Sequence, residues 1–213
     1  MNNHIIPLGY HCNISFLQQD LHIKHETGLF EWFQSEKLQY ITDIVNNIKH
    51  KISTHIIKKN NKRLYMMKTF TYHYKLEEYK NIFIRRANRF LNIIKQSTEL
   101  VFVRINPMEN LKSMYTTEEE INNFCKAIHS INSNLKIKFL MIHTIDQKNN
   151  TYKRLDETKI HNIVFLQKEF QMEDCPDKYL KNNIKIQTLF SEYLSEIGFN
   201  INLKSNKTFT DKD

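Results

Sequence analysis

One cysteine, Cys12, lies where a thiol nucleophile could form. It follows the turn Leu8-Gly9-Tyr10-His11 at the end of an apolar segment, and it comes just before a stretch with helical periodicity. Backbone N–H groups and the helix dipole at a helix N-terminus lower the pKa of a thiol and favour the thiolate. The sequence therefore predicts a reactive thiol at Cys12. The alternative is a buried, inert cysteine, which is the commoner state of a free thiol.

Two histidines near the ends of β-like segments could serve as the base for such a thiol. His73 lies in the run Phe70-Thr71-Tyr72-His73-Tyr74, and His143 follows Met141-Ile142. A base of this kind takes the thiol proton and is commonly oriented by a carboxylate. Because the chain has ten histidines, position alone leaves both His73 and His143 as candidates.

Arginine is scarce in this lysine-rich chain, so each arginine is a candidate for a role that needs a guanidinium group. Arg85, Arg86 and Arg89 fall on one predicted helix, with Arg85 and Arg89 on the same face. Arg104 falls near the carboxyl end of a predicted strand. A guanidinium group binds phosphate or carboxylate through two parallel hydrogen bonds. These arginines are predicted to bind an anionic ligand; the alternative is buried ion pairing with an acidic residue such as Glu31.

Strands and helices alternate along the chain and would position these groups. Apolar periodicity and turn residues predict a strand within 3–9, a helix over 13–21, a helix Glu36–Ile57, a β-prone run over 64–74, a helix Tyr79–Gln96, a strand Glu99–Ile105, a helix starting at Thr116 or Thr117, strands Lys136–His143 and Asn162–Gln167, and a helix Ile186–Ile197 ended by Gly198.

This order of elements predicts the fold. Strand–helix–strand spacing implies right-handed crossovers and parallel strands. We therefore expect a single α/β domain over residues 1–203, in three layers, with a mainly parallel sheet flanked by helices. Residues 204–213 are polar and predicted to form a disordered tail. In such sheets the functional site lies beyond the carboxyl ends of the strands, where the Gly9–Cys12 turn, His143 and Arg104 would converge.

The composition limits the class of protein. The chain has 213 residues, of which 40% are hydrophobic and 25% charged, which is enough for a core and argues against wholesale disorder. Three Gly and three Pro exclude collagen-like and Pro-rich classes. The excess of Ile, Lys and Asn is typical of an AT-rich genome. That bias also contributes to the net charge of +8.

Basic clusters at Lys49-His50-Lys51 and Lys58–Arg63 are predicted to be solvated faces. A basic surface also favours acidic partners, so nucleic acid stays a background alternative. The chain has no zinc finger, Gly-rich phosphate loop or aromatic-interleaved basic stripe to support it.

The three cysteines, Cys12, Cys125 and Cys175, include no closely spaced pair. This argues against a disulfide framework and against a tetrahedral zinc site, and no metal or other cofactor is predicted. No signal peptide or transmembrane segment is evident. We expect a reducing, cytoplasmic location.

Five short motifs, in order along the chain, resemble one known family. Leu8-Gly9-Tyr10-His11-Cys12 resembles the family's opening LG-x-x-C, and residues 27–32 resemble its S-G-x-F-D-W with Glu31 in place of Asp. His73 matches a histidine placed after a β-like run, residues 85–90 resemble R-R-x-x-R-F, and residues 101–104 resemble F-V-R. On these motifs the chain resembles a family of domains of unknown function, described as papain-like cysteine peptidases and found in bacteria and large DNA viruses.

The resemblance covers roughly residues 4–110 and implies a mechanism. Cys12 would be the nucleophile, His73 its base with His143 as second choice, and Glu31 would orient the histidine or bind an arginine. The substrate-binding candidates are Gly9, Trp32, Arg86, Arg89 and Arg104. A viral member would act in the host cytoplasm. A papain-like fold implies an antiparallel sheet, whereas the spacing of elements predicts a parallel one.

Three hypotheses follow. The first is a cysteine-dependent hydrolase or transferase that takes an anionic or peptide-like substrate. The second is a phosphate or nucleotide-sugar binding protein, or an enzyme of glycan metabolism, that needs no thiol. In the third, the matched motifs are all core: the aromatic residues pack and the arginines pair with Glu31 and its neighbours.

Overall fold

A computed structural model describes ten segments of the chain: residues 4–9, 13–24, 26–31, 35, 37–50, 76–106, 116–145, 155, 163–171 and 183–199. Four strands lie in these segments: β1 Ile5–Pro7, β2 Glu99–Asn106, β3 Lys136–Ile145 and β4 Val164–Gln171. Five helices accompany them: α1 Asn13–Asp20, α2 Leu38–Ile48, α3 Leu76–Gln96, α4 Glu118–His129 and α5 Ile184–Glu196.

The four described strands form one sheet in the order β1-β2-β3-β4, and every neighbouring pair is parallel. Phe102 on β2 lies opposite Ile6 on β1 and Phe139 on β3, and Phe139 lies opposite Phe165 on β4. The predicted α/β fold with a parallel sheet flanked by helices is confirmed. The antiparallel sheet of the papain-like expectation is not the arrangement of these four strands.

One face of the sheet packs against α2, α3 and α4 in one cluster of buried hydrophobic residues, several of them aromatic. Phe124 of α4 makes edge-to-face contacts with Phe102 and Phe139, with ring centroids 5.1 and 6.1 Å apart. Phe90 of α3 makes the same kind of contact with Phe30, at 5.2 Å. Each such pair adds about 0.5–1.5 kcal/mol of stabilisation beyond the burial of its apolar area. Ring geometry as well as buried area therefore stabilises this layer.

The opposite face packs against α1 and α5. Buried aliphatic and aromatic side chains from both sides form a second cluster, made up of Ile14, Leu17, Val101, Val103, Ile105, Leu140, Ile142, Phe170, Ile186, Phe190, Leu194, Ile197 and Phe199. The sheet is thus the middle layer of three, and its strands are buried on both faces as expected for parallel strands.

Local signals explain where α4 and α5 begin and end. The Thr117 side chain accepts a hydrogen bond from Glu120 N, and the Glu120 side chain accepts one from Thr117 N, which is a complete capping box. Asn183 caps α5 through Ile186 N, and Gly198 with φ 78° ends it. The predicted start near Thr117 and the predicted stop at Gly198 are confirmed.

Other predictions fall outside the described residues. These are the β-prone run over 64–74, the basic cluster 58–63 and the proposed tail 204–213. The predicted helix Glu36–Ile57 was wrong in its length, because α2 spans Leu38–Ile48 and Lys49 is its C-cap. Among the helices that the structure describes, none combines the length and the apolar character needed to cross a membrane.

Candidate functional site

The structure describes six of the nine residues proposed for the site. Gly9, Glu31, Arg86, Arg89, Arg104 and His143 have described positions, whereas Cys12, Trp32 and His73 lie outside the described residues. Asn13, the chain neighbour of Cys12, is the first residue of α1. In the sequence, Cys12 lies between Gly9 and the first residue of α1.

The chain leaves the sheet at the carboxyl end of β1 through a glycine turn. Leu8 N donates to Val103 O at 2.8 Å, which continues the pairing with β2 one residue past Pro7. Gly9 then adopts φ 72°, a left-handed conformation that favours glycine. After three further residues α1 begins at Asn13. This is a strand–turn–helix unit that ends in a helix N-terminus, where anions are stabilised.

Arg104 holds the backbone at the start of that turn. Its guanidinium Nη1 donates to Leu8 O at 2.8 Å and to Ser35 Oγ at 3.0 Å, and Nη2 donates to Ser35 O at 3.0 Å. Its Nε donates to Thr116 Oγ1 at 2.7 Å. The side chain is fully buried, and a guanidinium group can be buried only when its N–H groups are hydrogen-bonded. These contacts favour a positioning role for Arg104; its predicted binding of substrate stays a prediction.

A polar row crosses the carboxyl end of the sheet beside Arg104. Asn106, His143 and Glu169 are register partners on β2, β3 and β4, so their side chains lie on the same face. Thr116 Oγ1 donates to Asn106 Oδ1 at 2.9 Å and links this row to Arg104. The carboxyl ends of three strands thus carry hydrogen-bonding groups, whereas Phe102, Phe139 and Phe165 lie nearer the amino ends on the same face.

Burial shifts the two ionisable groups of this row toward their neutral forms. It lowers the pKa of His143 to about 4 and raises the pKa of the Glu169 carboxyl above its ordinary value. A general base works best with a pKa near the working pH. His143 therefore suits the base role at neutral pH poorly in this environment, and His73 stays the first candidate by motif.

Glu31 contacts a lysine and a backbone amide. Its Oε1 accepts from Gly28 N at 2.5 Å, and its Oε2 lies 2.9 Å from Lys24 Nζ, with both side chains 3% exposed. A Cβ added at Gly28 would lie 3.1 Å from Glu31 Oε1, so the absence of a side chain there lets the carboxylate approach. Through these contacts Glu31 connects Lys24 with Gly28. The role of Glu31 in orienting a histidine stays a prediction.

The α3 arginines lie apart from Arg104, on a groove of about 600 Å³ that we call the β1–α3 groove. The groove runs between β1, the segment 23–31 and α3, and its lining includes Arg85, Arg86 and Arg89. Arg89 Nε lies 2.7 Å from Glu26 Oε2, and Arg89 Nη1 donates to Thr27 O at 3.2 Å. The four arginines proposed to bind an anion therefore divide into Arg104 at the strand end and three along the groove, of which Arg86 is also buried.

Several residues of these sites have no motif in the sequence. Ser35, Thr116 and Asn106 are small polar residues, and the hydrogen bonds that gather them around Arg104 span up to 69 positions. Lys24 resembles the many solvated lysines of the chain until its burial beside Glu31 is seen. The described residues include no group of three or more His, Cys, Asp or Glu side chains that could hold a metal ion.

Comparisons of this chain with protein-family models, with curated proteins and with solved structures give no match. The resemblance to papain-like cysteine peptidases therefore rests on the five motifs alone.

Proposed function

We propose that this protein is a cysteine-dependent hydrolase or transferase with Cys12 as its nucleophile. The observation that carries the proposal is the strand–turn–helix unit at the end of β1. Gly9 turns the chain with φ 72°, Arg104 holds Leu8 O, and α1 begins at Asn13. A cysteine directly before a helix has the environment that favours a thiolate.

The proposed reaction uses this thiolate on an acyl or similar carbon. The base, His73, takes the thiol proton, and the sulfur forms a bond to the carbonyl carbon. The leaving group departs with the proton that the histidine returns, and water or a second acceptor then releases the acyl group from sulfur. Backbone N–H groups that follow Gly9 would stabilise the oxyanion. Arg104 positions this turn, and arginines of α3 bind the anionic part of the substrate.

The test is the pH profile of alkylation by iodoacetamide, followed at each cysteine by peptide mass spectrometry. Cys125 is an internal control, because burial raises its pKa to about 12. We expect Cys12 to react with an apparent pKa well below the ordinary value of about 8.5, and the shift to shrink in His73→Ala but to persist in His143→Ala. A Cys12 thiol that is unreactive, or that titrates at its ordinary value, contradicts the proposal.

A second candidate function is favoured by the position of the α3 arginines on a groove. The protein would then bind a phosphate or nucleotide-sugar compound, or act in glycan metabolism, without a thiol. Arginine keeps its charge at any working pH, so such a site needs no tuned cysteine. Under this alternative Arg86→Ala abolishes ligand binding and Cys12→Ala has little effect, whereas the cysteine mechanism requires that Cys12→Ala abolish turnover.

Family membership and location are part of the proposal. We assign the chain to the papain-like cysteine peptidase family that its motifs resemble, from a bacterium or a large DNA virus. We place it in a cytoplasm, that of the host in the viral case, where reducing conditions keep a catalytic cysteine in its thiol form. Cell fractionation with an antibody against the chain tests the location.

A further inference from the structure

The β1–α3 groove has one charged end and one amide end. Arg85, Arg89, Asn92 and Gln96 line it from α3, and their spacing of four, three and four residues places them on one face of the helix. The two arginines come first along α3 and the two amides last. The volume of about 600 Å³ lies within the range of about 300–1,000 Å³ that is usual for small-molecule sites.

The charged end keeps an excess of positive charge. Of the two described acidic residues that line the groove, Glu31 is paired with Lys24, and Glu26 is paired with Arg89. Arg85 is exposed and forms no hydrogen bond or ion pair with the described part of the chain. Its guanidinium group can therefore bind an anionic ligand, and the contacts of Arg89 with Glu26 and Thr27 O hold a second guanidinium in place beside it.

The strand side of the groove is unsuited to an added peptide strand. His4 O accepts from Val101 N, and Leu8 N donates to Val103 O, so the backbone groups of Ile5 and Pro7, which alternate with these, face away from β2. Gln18 Nε2 already donates to Ile5 O at 3.1 Å, and Pro7 has no N–H. An extended peptide would find few ladder partners here.

We propose that the β1–α3 groove binds a phosphorylated small molecule, with Arg85 and Arg89 on the phosphoryl oxygens and with the amides of Asn92 and Gln96 on hydroxyl-bearing parts. A phosphoryl group offers several anionic oxygens to two guanidinium groups, which a single carboxylate cannot match. This inference rests on the proposed function, because it names the substrate class of the same protein: a phosphorylated small molecule and not a peptide.

The placement agrees with a reaction at Cys12. Only residues 97 and 98 separate α3 from β2, so Gln96 lies near the amino ends of the strands. Arg85 is 11 residues earlier on a helix, which is about 16 Å along its axis. The charged end of the groove therefore lies toward the carboxyl end of β1, where Gly9 leads to Cys12.

Isothermal titration of the full chain tests the proposal, with pyrophosphate and ADP as phosphoryl probes, adenosine as the uncharged control and hexaglutamate as the acidic-peptide control. We expect both phosphoryl probes to bind and adenosine and hexaglutamate to bind far more weakly. Arg85→Gln should weaken ADP binding at least about tenfold, as loss of a charge-assisted hydrogen bond does. Lys95→Gln is the matched control, because Lys95 is exposed on α3 and its substitution removes the same charge outside the groove.

The outcomes separate this inference from the cysteine mechanism. Failure of both phosphoryl probes to bind, tighter binding of hexaglutamate, or equal losses in Arg85→Gln and Lys95→Gln would overturn it. The titration is repeated with Cys12→Ala, which should bind ADP as the unmodified chain does. If ADP binds through Arg85 while Cys12 alkylates as an ordinary thiol, the groove assignment stands and the cysteine mechanism fails. If neither phosphoryl probe binds while Cys12 alkylates with a lowered apparent pKa, the cysteine mechanism stands and the groove assignment fails.

Discussion

The guanidinium Nη1 of Arg104, on β2, donates a hydrogen bond of 2.8 Å to the carbonyl oxygen of Leu8, the residue that precedes the Gly9 turn. The same nitrogen donates to Ser35 Oγ, so one buried group connects the end of β1 to a segment 27 positions further along the chain. The contact fixes the backbone at Leu8, directly before Gly9 with its φ of 72°. The relationship makes Arg104 a positioning residue with consequences for both stability and thiol chemistry.

Arg104→Lys should destabilise the protein by about 2–4 kcal/mol, because a lysine ammonium cannot reproduce the fork that serves Leu8, Ser35 and Thr116 together. Urea unfolding measures the loss. If Arg104 also positions the turn, the alkylation pKa of Cys12 should move toward its ordinary value in folded Arg104→Lys. The exposed Arg85→Gln is the control and should change stability by less than about 0.5 kcal/mol. If Arg104→Lys is as stable as the unmodified chain, the guanidinium hydrogen bonds of Arg104 are not needed for stability.

His143 should make the protein less stable in mild acid. Its pKa is lowered by burial to about 4, from an ordinary 6.5, so the unfolded chain binds a proton at a higher pH than the folded chain does. The stability due to neutral His143 is fully present above pH 6.5 and is lost as the pH falls from 6.5 to 4, by roughly 3 kcal/mol in total. Urea unfolding between about pH 4 and 7 measures this slope.

The variant that isolates this effect is His143→Gln, in which the slope between pH 4 and 6.5 should become shallower. His50→Gln is its control, since His50 is an exposed histidine in the turn after α2. Equal slopes in the unmodified chain and in His143→Gln would show that another group causes the acid sensitivity.

Cys125 should resist alkylation in the folded protein at neutral pH. It is buried on α4, and burial raises its pKa from 9.0 to about 12, so its thiolate is scarce and its sulfur is inaccessible. Labelling should appear in step with urea unfolding. Because the folded pKa is the higher one, the linked stability is fully present below pH 9 and falls as the pH rises from 9 toward 12. Rapid labelling of Cys125 in native buffer at neutral pH would show that α4 opens locally.

The sequence predicted elements well where apolar spacing or a cap is local. The Thr117 capping box needs only residues within one turn, and α4 begins where that signal lies. The burial of Arg104 could be expected in part, because Arg104 lies two residues after Phe102 on β2. Both side chains therefore lie on the face that packs against Phe124. The hydrogen-bond partners of Arg104 could not be predicted, because Ser35 and Leu8 contact it only once three separate segments of the chain have packed together.

The roles of charged residues were harder to predict for the same reason. The pairing of Glu31 with Lys24 depends on how the segment 24–31 folds back on itself, and the chain has many lysines of similar context. The separation of the α3 arginines from Arg104 depends on where α3 packs against the sheet. Sequence spacing predicts which side chains share one face of a helix, but it does not predict the distance between that helix and another element.

The Lys24–Glu31 pair provides a further prediction, because a buried ion pair responds very differently to the loss of one partner and of both. Lys24→Met leaves a buried carboxylate without its cation and should destabilise the chain by about 3–5 kcal/mol in urea unfolding. The double variant Lys24→Met with Glu31→Gln removes both charges and should recover part of that loss, since the new amide oxygen can still accept from Gly28 N. The matched, more accessible pair is Arg89 with Glu26, whose side chains are 29% and 59% exposed, and a single substitution at Glu26 should change stability by about 1 kcal/mol or less. If the double variant is no more stable than Lys24→Met, the pair is not energetically coupled, and the segment 24–31 is held mainly by its other contacts.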